Sequence, residues 1–327
     1  MRRADLFSVD PGGGSLRNLT KTPRTWEVQV SASPDGSQLA FVRGARAGRG
    51  GWLVVADSDA ASPTDLGPAA PGPEPTAPPA WSPDGRRVAF TNAVGCDEVV
   101  CKTWEVWVAD VAARRRRRIT ARGMSPSWSP DGRRIAYAGN LVTAFTAKGY
   151  FTFSTDVVVE NLRTGATRTL GRGARPVWSV RGDWIAFVAP GGRLRLVRSD
   201  GSDGRTVGSG AAGSSWTRDG RLVFLLGRPD SDVTRVVAYV PARGVRSERA
   251  LTRDEYGGVA LGPGGHRLAW ARFAYSRSEA ASHDDLVVGP VGERGSRVVV
   301  EGDPGSRIGA ISWASRDRIV FSAARVG

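Results

Sequence analysis

The chain has 327 residues, 40% hydrophobic, 24% charged and 8% aromatic, a composition that excludes a disordered or fibrous protein. Its 42 glycines and 20 prolines exclude long uninterrupted helices and favour many short strands joined by tight turns, and no apolar run approaches the roughly 18 to 20 residues a membrane helix needs. The net charge is +14 and the pI about 11.0, yet only Lys21, Lys102 and Lys148 are lysine. An arginine-dominated excess of this kind is what the codon bias of a GC-rich genome gives. Charge alone supplies non-specific attraction, and specific nucleic-acid binding is not expected.

Taken in chain order, Asp5 to Val9 and Ser15 to Leu19 read as two strands joined at Asp10-Pro-Gly-Gly-Gly14. A repeat then begins. Ser33-Pro34-Asp35-Gly36-Ser-Gln-Leu-Ala-Phe41, Trp81-Ser-Pro-Asp84-Gly85-Arg-Arg-Val-Ala-Phe90 and Trp128-Ser-Pro-Asp131-Gly132-Arg-Arg-Ile-Ala-Tyr137 are nearly superimposable. Weaker copies start at Trp178, Trp216, Leu261 and Trp313, making seven. The aligned position moves from Ala32 to Trp313 in six steps, a mean period of about 47 residues, close to that of four-stranded propeller blades. Seven such periods fill the chain, so residues 1–327 are expected to form a single domain, and the Pro-rich stretch from Gly67 to Pro79 reads as a blade-to-blade connection.

Each unit reads as four strands. The first ends at the Trp, and Ser-Pro-Asp-Gly makes a turn in which Pro presets φ, Asp bonds locally and Gly takes positive φ. The second alternates large, small, large, as in Val88-Ala89-Phe90 and Ile185-Ala186-Phe187, the pattern sheets stacked face to face require. A variable loop leads to a third strand such as Glu105 to Ala109, and a hairpin gives a fourth such as Thr167 to Leu170. The residue before the Trp position is small in six units (Ser31, Ala80, Ser127, Ser215, Ala260, Ser312) and Val177 in the other, as convergence on a common axis demands. The last unit stops after its second strand, at Phe321, so the two N-terminal strands are expected to complete it and close the ring. The fold class is therefore all-β, a seven-bladed β-propeller of four-stranded blades, with a distorted six-bladed ring as the alternative.

The W-S-P-D-G-x-x-[IVL]-A-[FY] unit, with Leu19-Thr20, Ile119-Thr120, Leu170-Gly171 or Leu251-Thr252 ahead of a following copy, resembles the TolB-like β-propeller repeat over essentially the whole chain. The resemblance implies a periplasmic or extracytoplasmic binding propeller, and related blades form the gating domain of prolyl-oligopeptidase-like enzymes. It is to the propeller alone, without the α/β domain that precedes it in TolB or the hydrolase domain of the peptidases. The expected function is thus non-enzymatic binding or scaffolding of a protein, peptide or envelope glycan by a monomer. The alternatives are a propeller-type glycan lyase or hydrolase with its site at the channel mouth, or a gating propeller.

Most recurrent polar residues have a structural reading. Asp35, Asp84, Asp131 and Asp219 are turn residues, and Trp81, Trp128, Trp178, Trp216 and Trp313 pack between blades. Asp200-Gly-Ser-Asp203-Gly204 is a hairpin turn rather than a calcium loop, lacking the terminal Glu. The two histidines, His266 and His283, fall in no zinc spacing, no G-x-S-x-G is present, and no motif asks for a cofactor or metal. Cys96 and Cys101 share the Thr91 to Thr103 loop, where either a disulfide or two thiols can form; the disulfide is favoured and would imply an oxidising compartment. Since Met1 is followed by no signal peptide, that expectation requires a leader upstream of Met1. The run Arg114, Arg115, Arg116, Arg117, Arg118 reads as a solvated, edge-protecting rim, with weak contact to an anionic surface as the alternative.

Function is expected where loops are long, on the face lined by the second-to-third and fourth-to-first connections. Ala138 to Thr155 carries Phe145, Tyr150, Phe151 and Phe153, and Ala271 to Asp285 carries Phe273, Tyr275 and His283. Near the axial mouth, Arg122, Arg175, Glu255, Tyr256 and Arg307 are candidates for polar contacts. In the enzymatic alternative, Glu255, Tyr256, His283 and the arginines would supply acid and base groups.

Overall fold

The computed structural model describes residues 4–22, 25–44, 51–69, 77–96, 101–145, 151–228, 231–250, 256–276, 281–291 and 295–324, some by backbone alone. They form seven four-stranded antiparallel sheets, six of them following chain order from inner to outer strand. Blades 1 to 6 span residues 26–68, 80–120, 123–172, 174–209, 211–250 and 256–300. Blade 7 takes its inner and second strands from Arg307–Ser315 and Arg318–Ala324 and its third and outer strands from Asp5–Val9 and Arg17–Asn18. Consecutive inner strands touch all the way round, including blade 7 against blade 1. The ring is closed, and the distorted six-bladed alternative falls.

The repeat's large, small, large strand builds the joints between sheets. Phe41, Phe90, Phe187, Phe224 and Phe321 are fully buried, each on a second strand between neighbouring blades. The Trp that ends most inner strands makes a joint of its own. Its indole N–H reaches back one blade and donates to the carbonyl of the residue before the Trp position: Trp81 to Ser31, Trp128 to Ala80 at 2.9 Å, Trp216 to Val177 and Trp313 to Ala260. The small residue at that position therefore serves blade-to-blade approach. Two of the serines there also bond across a joint: Ser31 donates to the Pro79 carbonyl and Ser312 accepts the Ala32 amide. Repeat arginines cover the next blade's indole: Arg87 over Trp128, Arg134 over Trp178 and Arg267 over Trp313. Part of the +14 charge is thus committed to packing through cation–π contact.

Six inner strands carry a one-residue bulge within one residue of the same place, between Val28 and Ser31, Met124 and Ser127, Ala174 and Val177, Ala211 and Ser214, Tyr256 and Val259, and Ile308 and Ile311. The extra residue increases local twist and bends each strand. It forces Gln29, Ser125 and Arg175 to positive φ.

The Ser-Pro-Asp-Gly turn is a side-chain lock. The Ser82 hydroxyl donates to Asp84 and accepts the Arg87 amide, while Asp84 also accepts the Arg86 amide. Ser33 with Asp35, Ser129 with Asp131 and Thr217 with Asp219 repeat the hydroxyl-to-carboxylate bond, so these aspartates are turn residues as read from sequence. The hydroxyl bonds from Ser33, Ser82 and Thr217 hold Asp35, Asp84 and Asp219 below the usual carboxylate range. Burial pushes Asp131 upward, but Ser129 and the Arg133 amide outweigh it. A carboxyl depressed in the folded state stabilises above its unfolded value near 3.8, and the contribution is lost as pH falls through the folded value. The urea midpoint is therefore expected to hold from pH 7 to 5 and fall below about pH 4. A D35N/D84N/D131N/D219N variant should be less stable at neutral pH and show a shallower acid limb; an unchanged acid limb would refute the lock.

The long connections are largely not loops. Blade 2's second and third strands pair out to Cys96 opposite Cys101, blade 3's to Phe145 opposite Phe151, and blade 6's to Ala274 opposite His283. Leu141-Val-Thr-Ala-Phe145 and Phe151-Thr-Phe-Ser-Thr155 are rich in β-branched and aromatic residues, so pairing continues past the blade edge. The loops read at Thr91 to Thr103, Ala138 to Thr155 and Ala271 to Asp285 are thus mainly two-stranded ribbons. The cysteines stand opposite one another in backbone register, and their sulfurs lie outside the described residues.

Candidate binding face

An antiparallel meander puts all second-to-third and outer-to-inner connections on one face of the ring, and the Ser-Pro-Asp-Gly turns and third-to-outer hairpins on the other. The first face carries the ribbons. Blade 3's extends about five residues beyond the blade edge, roughly 15 Å of paired strand. Six large hydrophobic residues are exposed among those described. Trp52, Val94, Val142 and Tyr275 lie on the ribbon face in blades 1, 2, 3 and 6, whereas Leu16 and Val180 lie on the other. Tyr275 is 79% and Val142 58% exposed, far from the burial that apolar residues of a sheet normally find.

The polar candidates of blades 6 and 7 do meet. Arg307 stacks its guanidinium over Phe273 at 5.0 Å and donates to the Ser282 and Ser306 carbonyls at 3.0 and 2.7 Å. His283 Nε2 lies 3.4 Å from Asp285 Oδ1, and its Nδ1 lies 3.2 Å from the Ala281 carbonyl. Asp285, buried, takes Arg272 at 2.6 Å and the Gly302 amide at 3.1 Å. Asp284 accepts the Ile308 amide at 2.8 Å; burial raises its pKa, opposed by that amide and by Arg307. These bonds tie blade 6's third strand to the connection entering blade 7.

Three other blades carry a carboxylate at the same place, bonded within its own blade and, at Asp5 alone, also to Thr22 in the connection entering the next blade. A carboxylate opens the paired core of the third strand at Asp5, Glu105, Asp156 and Asp285, each directly before Leu or Val. Asp5 accepts from Asn18 and Thr22, Glu105 from Arg118 and Trp107, and Asp156 from Asn140. Residue reasoning passed over this position, although an acidic residue ahead of an apolar run recurs in four of the seven third strands.

Arg122 and Arg175 stand at the start of blades 3 and 4, across the ring from Arg307, Arg175 within a bulge. Glu255 and Tyr150 lie outside the described residues. Tyr256, Phe145, Phe151 and Phe153 are described by backbone alone. The arginine run is more than a solvated rim. Arg115 to Arg118 belong to blade 2's outer strand, Arg115–Thr120. Arg116 stacks on Trp107 and donates to the Pro68 carbonyl of blade 1, Arg117 donates to the Leu162 carbonyl of blade 3, and Arg118 pairs with Glu105. These three fasten blade 2 and its neighbours, while Arg114 turns the hairpin at positive φ.

Seven four-stranded blades in a closed ring, sealed by strands from both ends of the chain, define a seven-bladed β-propeller. No family model and no curated protein matches the sequence. Solved structures do. TolB from Acinetobacter baumannii aligns with a TM-score of 0.53 at 16% identity, covering 91% of this chain and 63% of that one. An oligogalacturonate lyase from Vibrio parahaemolyticus gives 0.67 at 12% identity over 98% and 97% of the two chains. An oligogalacturonate lyase in complex with manganese gives 0.66 at 14% identity over 100% and 99%. The chain spans under two thirds of TolB's length, and at these identities the likeness is one of fold, in keeping with the TolB-like repeats. Among the described residues no group of three or more His, Cys, Asp or Glu comes together that could hold a metal ion.

Proposed function

We propose that this protein is a non-enzymatic binding propeller, acting as a one-domain monomer, that receives a protein or peptide on its ribbon face. The observation that carries this reading is the gathering of exposed Trp52, Val94, Val142 and Tyr275 on that face. Apolar and aromatic side chains held on rigid ribbons anchor a partner at little entropic cost. An enzyme would need an ionisable pair free to converge on a substrate. The described groups nearest to that, His283, Asp284, Asp285 and Arg307, are bonded to backbone and to one another, which favours the binding reading over a lyase or hydrolase.

The test is affinity capture from cell envelope with the native chain, a W52S/V142S/Y275S variant, and a variant in which residues 143–153 are replaced by a short glycine linker. The partner recovered with the native chain is expected to be lost from both variants at unchanged melting temperature. Recovery of the same partner with both variants would overturn the reading, and a captured glycan would move the partner class from protein to sugar.

A further inference from the structure

On the face opposite the ribbons, consecutive blades 5, 6 and 7 depart from the Ser-Pro-Asp-Gly turn in a concerted way. Blade 5 has Arg218 where blades 1 to 3 have Pro. Blade 6 reads Leu261-Gly-Pro-Gly-Gly265-His-Arg267, with Gly262 for the locking Ser and Gly264 for the locking Asp. Blade 7 brings Arg316 into its turn. The three turns enclose a cleft of about 460 Å³ lined by Arg218, His266, Arg267 and Arg316, with Trp313 as a wall and no carboxylate among its described lining residues.

Gly262 has a packing reason, because a Cβ there would come within 3.3 Å of the Trp313 indole. Gly264 has none. A Cβ would meet only His266 Cδ2, at 3.5 Å, an ordinary contact, and its φ is not in the left-handed region. An aspartate therefore fits at 264, and in blades 1 to 3 and 5 that residue locks the turn. Here the lock is absent, and with it a negative charge that would sit among the cations. Arg267 is anchored, its guanidinium 5.2 Å from the Trp313 ring and its Nη2 donating to the Arg316 carbonyl at 2.7 Å. Arg218, His266 and Arg316 are exposed, with no side-chain partner among the described residues.

We infer that this cleft is a binding site for a polyphosphate group, of the size of a di- or triphosphate. Guanidinium forks match phosphate oxygens bidentately, and three of them with a histidine suit several phosphate charges better than one. The volume exceeds what a single phosphate fills. The site is separate from the ribbon face and stands independently of the partner proposed there.

Calorimetric titration with pyrophosphate and tripolyphosphate in 0.15 M salt tests it, with orthophosphate and citrate as size and charge controls. Saturable one-to-one binding of the two polyphosphates is expected, tighter than either control. R218A and R316A, which remove exposed groups, should each weaken it by about tenfold. G264D, which sets a carboxylate among these cations, should weaken it as much with the melting temperature unchanged. R115A/R117A, on the rim of blade 2, should leave it unaltered. Absence of saturable binding, citrate binding as tightly as tripolyphosphate, or equal weakening by R115A/R117A would each overturn the assignment.

Discussion

Deletion of residues 1–20 is expected to abolish cooperative folding. Those residues carry the two strands that finish blade 7, and the strand paired from Asp5 opposite Ala323 to Val9 opposite Ile319 covers the outer edge of the Arg318–Ala324 strand. Leu6 is fully buried among Val30, Phe41 and Val320, and Phe7 stacks on Phe321 with ring centroids 5.7 Å apart. Without them the joint between blades 7 and 1 opens and a second strand becomes an unpaired hydrophobic edge. The single change Phe7→Ala should by itself cost about 3 to 5 kcal/mol, a large share of the roughly 5 to 15 kcal/mol by which a domain is stable. Urea denaturation followed by tryptophan fluorescence measures both. A truncated chain that unfolds in one sharp transition at the native midpoint would show that the ring does not depend on its N-terminal strands.

The second large effect concerns the tryptophan joints, and it differs between two that look alike in sequence. Trp128 is buried, donates to the Ala80 carbonyl at 2.9 Å and lies under Arg87 at 4.6 Å. Trp178 is buried to the same degree and lies under Arg134, but among the described residues its indole nitrogen has no hydrogen-bond partner. Truncation to alanine should cost each about 3 to 5 kcal/mol. Replacement by phenylalanine separates them: W128F also loses a net hydrogen bond, about 1 kcal/mol, and strands the Ala80 carbonyl, whereas W178F removes a buried donor that was already unsatisfied. The urea midpoint should therefore fall further for W128F than for W178F. Equal losses, or a larger one for W178F, would refute the bond's role as a blade-to-blade latch.

The ring was legible because one short unit encodes a strand end, a turn and a buried strand at once, and three strong copies fix the period for four weak ones. Closure was legible for a simpler reason: an incomplete last unit and two unpartnered first strands need each other. The ribbons were less so. Val142-Thr-Ala-Phe145 lacks the large, small, large pattern, and Val142 is exposed, so the cue for a buried strand stops where the strand does not. Asp285 and Glu105 look like loose surface carboxylates until a distant segment, Gly302 or Arg118, reaches them. Arg116 and Arg117 read as a charge run because their acceptors, the Pro68 and Leu162 carbonyls, are some 45 residues away and are backbone atoms, which leave no mark in the sequence. Of the candidate contact residues, Phe273, His283 and Arg307 do lie together, yet bonded to one another and to backbone. The exposed side chains Trp52, Val94 and Val142 were not singled out, since exposure is a property of the folded ribbon and not of the residue.

In the proposed function the ribbon face is the one that receives a partner. The direct measurement is site-specific photocrosslinking in cells, with a photoreactive phenylalanine at Val142 or Tyr275 on that face and at Leu16 or Val180 on the other. All four positions are exposed, so the probe should be tolerated at each. A discrete crosslinked species from Val142 and Tyr275 alone is the result expected. Crosslinks of equal yield from Leu16 and Val180, or none from the ribbon positions, would contradict it.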